Sequence, residues 1–217
     1  KDADKAVLGI YSLYRGLMVN AQMYNRGDAT TGILNRGWNG GSSDALYKPG
    51  DFANVNSTNK SWGSLQGYAD WNGFYKVIAH ANLAIAKIEG MPDNVFAEGR
   101  KAKLLGEAYF LRALTYYNIA NIWGNAPLVT ESIESSSQVT SPDNMLINVG
   151  RSDDKEITTQ VLEDAGKAAE YLSYGIPGSA EWGIRANKGS AEALLGYANL
   201  WMAFLKQRDG EAGDTYI

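Results

Sequence analysis

Residues 106–131, GEAYFLRALTYYNIANIWGNAPLVTE, constrain the fold more than any other part of the chain, because a dense apolar helix face runs there into a helix stop and a short extended run. Leu104, Leu105, Ala108, Leu111, Leu114, Asn118, Ile119 and Ile122 recur three or four residues apart, so one side of a helix carries nearly all its branched aliphatics and must be buried. Trp123 closes that face, Gly124 can take a left-handed conformation that satisfies the last carbonyls, and Pro127 prevents the helix from resuming. Leu128, Val129 and Thr130 then read as extended chain. Gly106 inside a helix costs roughly 1 kcal/mol relative to alanine, which points to close approach by another helix. Arg112 lies on the same helix. Burying its guanidinium requires a carboxylate, either Glu107 or an acid of another helix, so a structural ion pair is expected there.

Four more amphipathic helices follow from the same periodicity. The first runs from about residue 3 to 23 on Val7, Ile10, Leu13, Tyr14, Leu17, Met18 and Ala21. The second spans about 65–88, with Trp71, Phe74 and Tyr75 on its core side, and ends at Gly90 and Pro92. Asp93 or Asn94 can cap the third helix, the one that reaches Trp123. A fourth opens at Ser152 or Asp153, where Asp154 and Glu156 suit the positive end of the helix dipole, and buries Ile157, Val161, Leu162, Ala165, Ala168 and Leu172. A fifth begins near Asn187 and is held by Ala191, Leu194, Leu195, Ala198, Trp201, Met202 and Leu205. Pairing the second with the third and the fourth with the fifth gives an all-α scaffold of tetratricopeptide-like helical repeats, although the spacing departs from the strict consensus of about 34 residues.

Two connections are longer than a compact domain needs. Residues 24–61 are rich in Gly, Asn and Ser yet carry Tyr24, Trp38, Tyr47 and Phe52, with Trp62 just beyond. Flat aromatic faces beside amide and carboxylate groups suit the apolar C–H faces and polar rims of sugars. Trp38, Asn39, Asp44, Tyr47 and Trp62 are therefore the candidate ligand-binding residues, and the competing role for the same rings is to pin a long loop onto the helices. Residues 125–151 are Ser-rich between 131 and 141, lack aromatic side chains, and read as a surface excursion.

Composition narrows the function classes. The 217 residues are 45 % hydrophobic, enough for a substantial core without disulfides or metal, and there is no cysteine to act as nucleophile or thiolate ligand. The 20 basic and 24 acidic residues are well mixed, so no basic stripe is offered to a phosphate backbone and nucleic acid is not an expected partner. No apolar run approaches the roughly 20 residues that cross a bilayer. His80 is the single histidine and cannot build a multi-histidine zinc site. A GxSxG elbow is absent, and RGWNGGSSD lacks the Lys and spacing of a phosphate-binding loop. Carboxylates are plentiful but lie mostly at helix ends, so no catalytic pair is expected, and no metal site or cofactor is assigned.

Read as a whole, GEAYFLRA running into WGNAPLV resembles the signature of the SusD/RagB family, whose turn is YGDVPLV-like. Three further stretches resemble the same family in the same order: WNGFYKVIAHANLAIAKIEG at 71–90, RSDDKEITTQVLEDAGKAAEYL at 151–172 and RANKGSAEALLGYANLWMA at 185–203. The resemblance implies a non-enzymatic nutrient-binding lipoprotein of the outer membrane, exposed at the cell surface. Such a protein binds an oligosaccharide or polysaccharide, or else a peptide, and hands it to a SusC-like TonB-dependent transporter. It also implies that residues 1–217 form an N-terminal portion of a longer chain, tethered through a lipidated cysteine preceding Lys1. The helices alone fit equally a helical-repeat adaptor that binds protein segments without a glycan ligand.

Overall fold

The computed structural model describes residues 2–19, 71–134 and 149–216, and within them five α-helices: α1 (Asp2–Val19), α2 (Asn72–Glu89), α3 (Arg100–Trp123), α4 (Asp154–Tyr171) and α5 (Lys188–Arg208). No strand occurs among the described residues, which contain one isolated antiparallel bridge between Ala126 and Ser152. The chain divides into two compact units, Leu13–Gly73 on the one hand and Lys1–Ser12 with Phe74–Ile217 on the other. In the former, Gly73 lies against Leu17, whose Cδ1 would come within 2.9 Å of a Cβ at that position.

In the larger unit α2, α3, α4 and α5 run in alternating directions, as their side-chain registers show. The C-terminal end of α2 meets the first half of α3 through the Tyr109 hydroxyl, which donates to Glu89 at 2.7 Å. At the opposite ends Phe74 and Trp123 pack edge to face with ring centres 5.1 Å apart. Gly106 near the start of α3 touches Leu172 and Tyr171 at the end of α4: a Cβ there would lie 2.8 Å from Leu172 Cγ and 3.0 Å from Tyr171 Cβ. The close approach expected at this glycine is thus made by the fourth helix. Arg208 at the end of α5 in turn donates to Asp154 at the start of α4 at 2.6 Å.

The predicted apolar faces supply the core. Val77, Ile78, Ala81, Ile85 and Ile88 of α2, Ile157, Val161, Ala165 and Ala168 of α4, and Ala191, Leu194, Ala198, Met202 and Leu205 of α5 are all buried. Each large aliphatic contributes about 2 kcal/mol on burial, so packing rather than helix propensity holds these helices. The central helix α3 departs from the one-sided pattern. Glu107, Arg112, Ala113, Thr115 and Tyr116 are buried along with Leu104, Leu105 and Leu111, whereas Leu114, Asn118 and Ile122 are only partly covered. A helix with neighbours on several sides cannot present a polar face to solvent, and its charged residues must be paired instead.

Three end signals resolve differently. Asp153 caps α4, accepting from the Lys155 amide at 2.7 Å while Glu156 reaches back to the Asp153 amide, and Asn187 caps α5 in a reciprocal arrangement with Ser190. Asp93 and Asn94 do not cap α3; they form a separate 3-10 turn, Asp93–Val95, and α3 starts after Gly99 at φ 69° with no side-chain cap. Trp71 precedes α2 rather than lying within it and is half-buried, as is Tyr75, while Phe74 is fully buried.

The segment after α3 is not a free surface excursion at its start. Ala126 is buried and exchanges two backbone hydrogen bonds with Ser152. The Tyr116 hydroxyl donates to the Val129 carbonyl at 2.9 Å and accepts from the Val129 amide at 2.7 Å. Burial pushes the Tyr116 pKa up to about 12, so the hydroxyl keeps the proton that this dual role needs. Asn82 of α2 donates to the Val129 and Glu131 carbonyls, and Arg112 to that of Thr130 at 3.0 Å. Residues 126–131 are therefore a strap laid between α2 and α3.

Candidate functional site

Trp38, Asn39, Asp44, Tyr47 and Trp62, the site residues anticipated from the sequence, lie outside the described residues. Within the described residues, the arrangement best suited to a ligand is the cleft between the first turn of α3 and the connection from α4 to α5.

That connection, residues 172–187, is built from successive turns. The Ser179 amide donates to Ile176, the Trp182 amide to Ser179 at 3.0 Å, and the Ile184 and Arg185 amides to Glu181. Gly178 at φ 80° and Gly183 at φ 72° supply the left-handed conformations that these reversals require. The Lys188 amide closes the base of the loop on the Ser173 carbonyl at 3.0 Å. Two ion pairs then fasten the loop to α3. Arg185 forks onto the buried Glu107, with Nε donating at 2.8 Å, and Lys103 pairs with Glu181. From below, the Tyr11 hydroxyl of α1 accepts the Ala186 amide at 2.8 Å, and the Arg185 guanidinium lies 5.7 Å from the centre of the Tyr11 ring.

The cleft has a volume of about 510 Å³. Glu98, Lys103, Leu172, Ser173, Trp182 and Asn187 are among the side chains that line it. Trp182 is 50 % exposed and Tyr174 63 %. Gly175 is the seat of the indole, because a Cβ there would come within 2.9 Å of Trp182 Cε3 and Cζ3 and 3.0 Å of the Asn187 side-chain nitrogen. Tyr174 donates its hydroxyl to the Glu192 carboxylate at 3.0 Å, and Lys188 Nζ lies 5.5 Å from its ring centre.

Charge is compensated in place. The hydrogen bond from Lys103 holds Glu181 below the ordinary carboxylate range. Burial pushes Glu107 the other way, against the stabilising fork of Arg185. Arg100, at the edge of the same cleft, donates from Nε to Asp4 of α1 at 2.8 Å. Such a surface can stack a flat apolar face and exchange hydrogen bonds with hydroxyl groups. His80 is engaged with the Lys76 carbonyl of its own helix at 2.8 Å. Among the described residues, no group of three His, Asp or Glu side chains is arranged to hold a metal ion, and no helix is long and apolar enough to cross a membrane.

Sequence reasoning passed over Trp182 and Tyr174. The available signal was compositional: LSYGIPGSAEWGIR combines Gly and Ser with aromatic residues, as 24–61 does, in a shorter connection.

Comparison with known proteins gives a consistent result. A SusD-like family model, described as starch-binding and associating with the outer membrane, matches residues 42–198. A SusD-like protein of Formosa agariphila is 26 % identical over 182 residues, covering 81 % of this chain and 32 % of the relative. Another SusD-like protein of the same organism is 35 % identical over 107 residues, covering 49 % of this chain and 18 % of the relative. The crystal structure of a SusD superfamily protein from Bacteroides thetaiotaomicron superposes with a TM-score of 0.66 at 26 % identity, covering 92 % of this chain and 43 % of that one. The chain spans about a third or less of the length of these curated relatives.

Proposed function

The chain belongs to the SusD-like family, and we propose from that premise that it is the N-terminal part of a surface lipoprotein that captures an oligosaccharide or polysaccharide at the outer membrane. In this proposal the ligand is passed unaltered to a SusC-like TonB-dependent transporter. The observation that carries the proposal is the family match across residues 42–198, which takes in most of the helical scaffold together with Asp44, Tyr47 and Trp62. Binding without chemistry is the mechanism: aromatic faces remove the C–H surfaces of the sugar from water, and fixed polar groups replace part of its hydration. Trp38 is proposed as the main stacking platform of the 24–61 segment, with Asn39, Asp44, Tyr47 and Trp62 around it.

The test is retention of the chain on affinity gels containing a panel of polysaccharides, followed by calorimetry with the matching oligosaccharides. A Trp38→Ala variant that stays folded is expected to bind about tenfold more weakly, a loss of ~1.4 kcal/mol. Unchanged retention would remove Trp38 from the site. Thin-layer chromatography after long incubation is expected to show intact glycan, and released products would indicate an enzyme.

A further inference from the structure

We propose that the cleft carrying Trp182 and Tyr174 is a second carbohydrate-binding site, made by residues other than those of the 24–61 segment and suited to neutral sugars rather than uronate or sulfated ones. The inference rests on the glycan-capture proposal and extends it to a place in the chain that the sequence signature does not mark.

Rigidity is the first support. An exposed tryptophan on a mobile loop loses much of its stacking energy to ordering, whereas a ring already fixed in place does not. Trp182 stands on a connection closed at its base by the Lys188–Ser173 hydrogen bond, folded by the turns through Ile176, Ser179 and Glu181, and fastened to α3 at both Glu181 and Arg185. Its benzo ring rests on Gly175, where a side chain would displace it, and half of its surface still faces solvent.

Chemistry of the rim is the second. Ser173, Ser179 and Asn187 offer hydroxyl and amide groups in the lining of the cleft, and a space of about 510 Å³ is within the range of small-ligand sites. The third support is charge. Lys103 is paired with Glu181, Arg185 with Glu107 and Arg100 with Asp4. Apart from Lys188 beside the Tyr174 ring, an anionic sugar would have to compete with a carboxylate for each of these cations, and would meet Glu98 and Glu181 in the same cleft. Neutral hydroxyls meet no such penalty and can bond to the outer edges of the pairs.

The experiment uses the chain labelled with 15N at its tryptophan indoles, the Trp182 signal being assigned by its absence in W182F. Maltoheptaose, cellohexaose, mannohexaose and xylohexaose serve as neutral probes and oligogalacturonate as the charged one. At least one neutral probe is expected to move the Trp182 signal saturably. W182A should weaken that binding at least fivefold with the helical circular dichroism unchanged, and W182F should restore most of it. W38A is expected to leave the Trp182 response in place. A neutral probe that binds by calorimetry without moving the Trp182 signal would overturn the second site and leave glycan capture standing. Oligogalacturonate binding at Trp182 more tightly than every neutral probe would overturn the stated selectivity and with it the proposal. Failure of every probe to bind the wild-type chain would count against both proposals.

Discussion

Arg112 of α3 and Asp164 of α4 form a two-pronged ion pair in the interior, with Nε donating to Oδ2 at 2.7 Å and Nη2 to Oδ1 at 2.8 Å. Their side chains are 5 % and 0 % exposed. The remaining guanidinium nitrogen donates to Asn82 of α2 at 2.8 Å and to the strap at Thr130, while Gln160 donates to Asp164 at 3.0 Å. One arginine therefore ties α2, α3, α4 and the strap together. Burial alone would weaken its hold on its proton, but the hydrogen bond and charge of Asp164 more than offset this and raise the guanidinium pKa further.

Removing one partner should be far more damaging than the net worth of the pair, because it strands the other charge away from water. Asp164→Ala is expected to destabilise the chain by about 3–5 kcal/mol, measured by urea unfolding followed through helical circular dichroism. Asp164→Asn keeps the shape and one acceptor, and should lose less. A loss under about 1 kcal/mol for the alanine variant would mean that the pair does not brace the helices.

Gly106 tests packing rather than charge. Alanine would gain up to about 1 kcal/mol of helix propensity but place a methyl group 2.8 Å from Leu172 Cγ and 3.0 Å from Tyr171 Cβ. The Tyr171 contact is with an atom fixed to the backbone of α4, so relief requires moving that helix end, and overpacking of this kind costs about 1–3 kcal/mol. Gly106→Ala should thus lower stability by about 1 kcal/mol net in urea, and Gly106→Val by more. A stabilised alanine variant would show that the two helices have room to part.

Much of this architecture was legible because its signals are local. The spacing of Ile157, Val161, Ala165 and Ala168, or of Leu194, Ala198, Met202 and Leu205, fixes a buried face without reference to any partner. The Asp153 cap is equally local, since its acceptor and Glu156 lie within one turn of the amides they serve. Gly99, by contrast, starts α3 through its own backbone conformation and leaves no side-chain signature, so Asp93 and Asn94 drew the expectation instead. The sequence left Arg112 either Glu107 or an unnamed acid of another helix, and only the fold assigns Asp164 to it and Glu107 to Arg185. The strap at 126–131 was missed for a similar reason: its hydrogen bonds go to Asn82, Arg112 and Tyr116 in two different helices. Aromatic residues in loops carry no periodicity to separate a displayed ring from a buried one, which is why Trp182 passed unremarked.

Acid should weaken the fold. The hydrogen bond from Arg100 lowers the pKa of Asp4, and that from Lys103 lowers the pKa of Glu181. Asp209 is lowered in the same way by Arg208 and Lys155. A carboxyl whose folded pKa lies below its unfolded value of about 4 contributes stability that is fully present above that value and is lost as pH falls through the folded one. Burial of Glu107 acts in the opposite sense, since a raised folded pKa gives stability that is lost as pH rises. With several groups lowered and this one raised, thermal unfolding midpoints should fall steeply below about pH 4, and the fall should be shallower for an Asp4→Asn, Glu181→Gln double variant. Identical profiles for the two proteins would show that these pairs do not drive the acid response.

The Glu107–Arg185 fork couples stability to the loop that carries Trp182, and the two effects can be separated. Arg185→Ala leaves a fully buried carboxylate without its fork and should cost about 3–5 kcal/mol. Replacing both residues together, as Glu107→Leu with Arg185→Met, removes the stranded charge and should recover most of that loss. The loop should not recover with it, because Arg185 supplies one of its two side-chain fastenings to α3. The other, Lys103–Glu181, is a third or more exposed and correspondingly weak. Hydrogen exchange is then expected to show native-like protection in α3 and α4 of the double variant, with faster exchange at the Trp182, Ile184 and Arg185-position amides, whose acceptors lie within the loop. Unchanged exchange at those amides, with stability restored, would place the anchoring of the loop in its own turns.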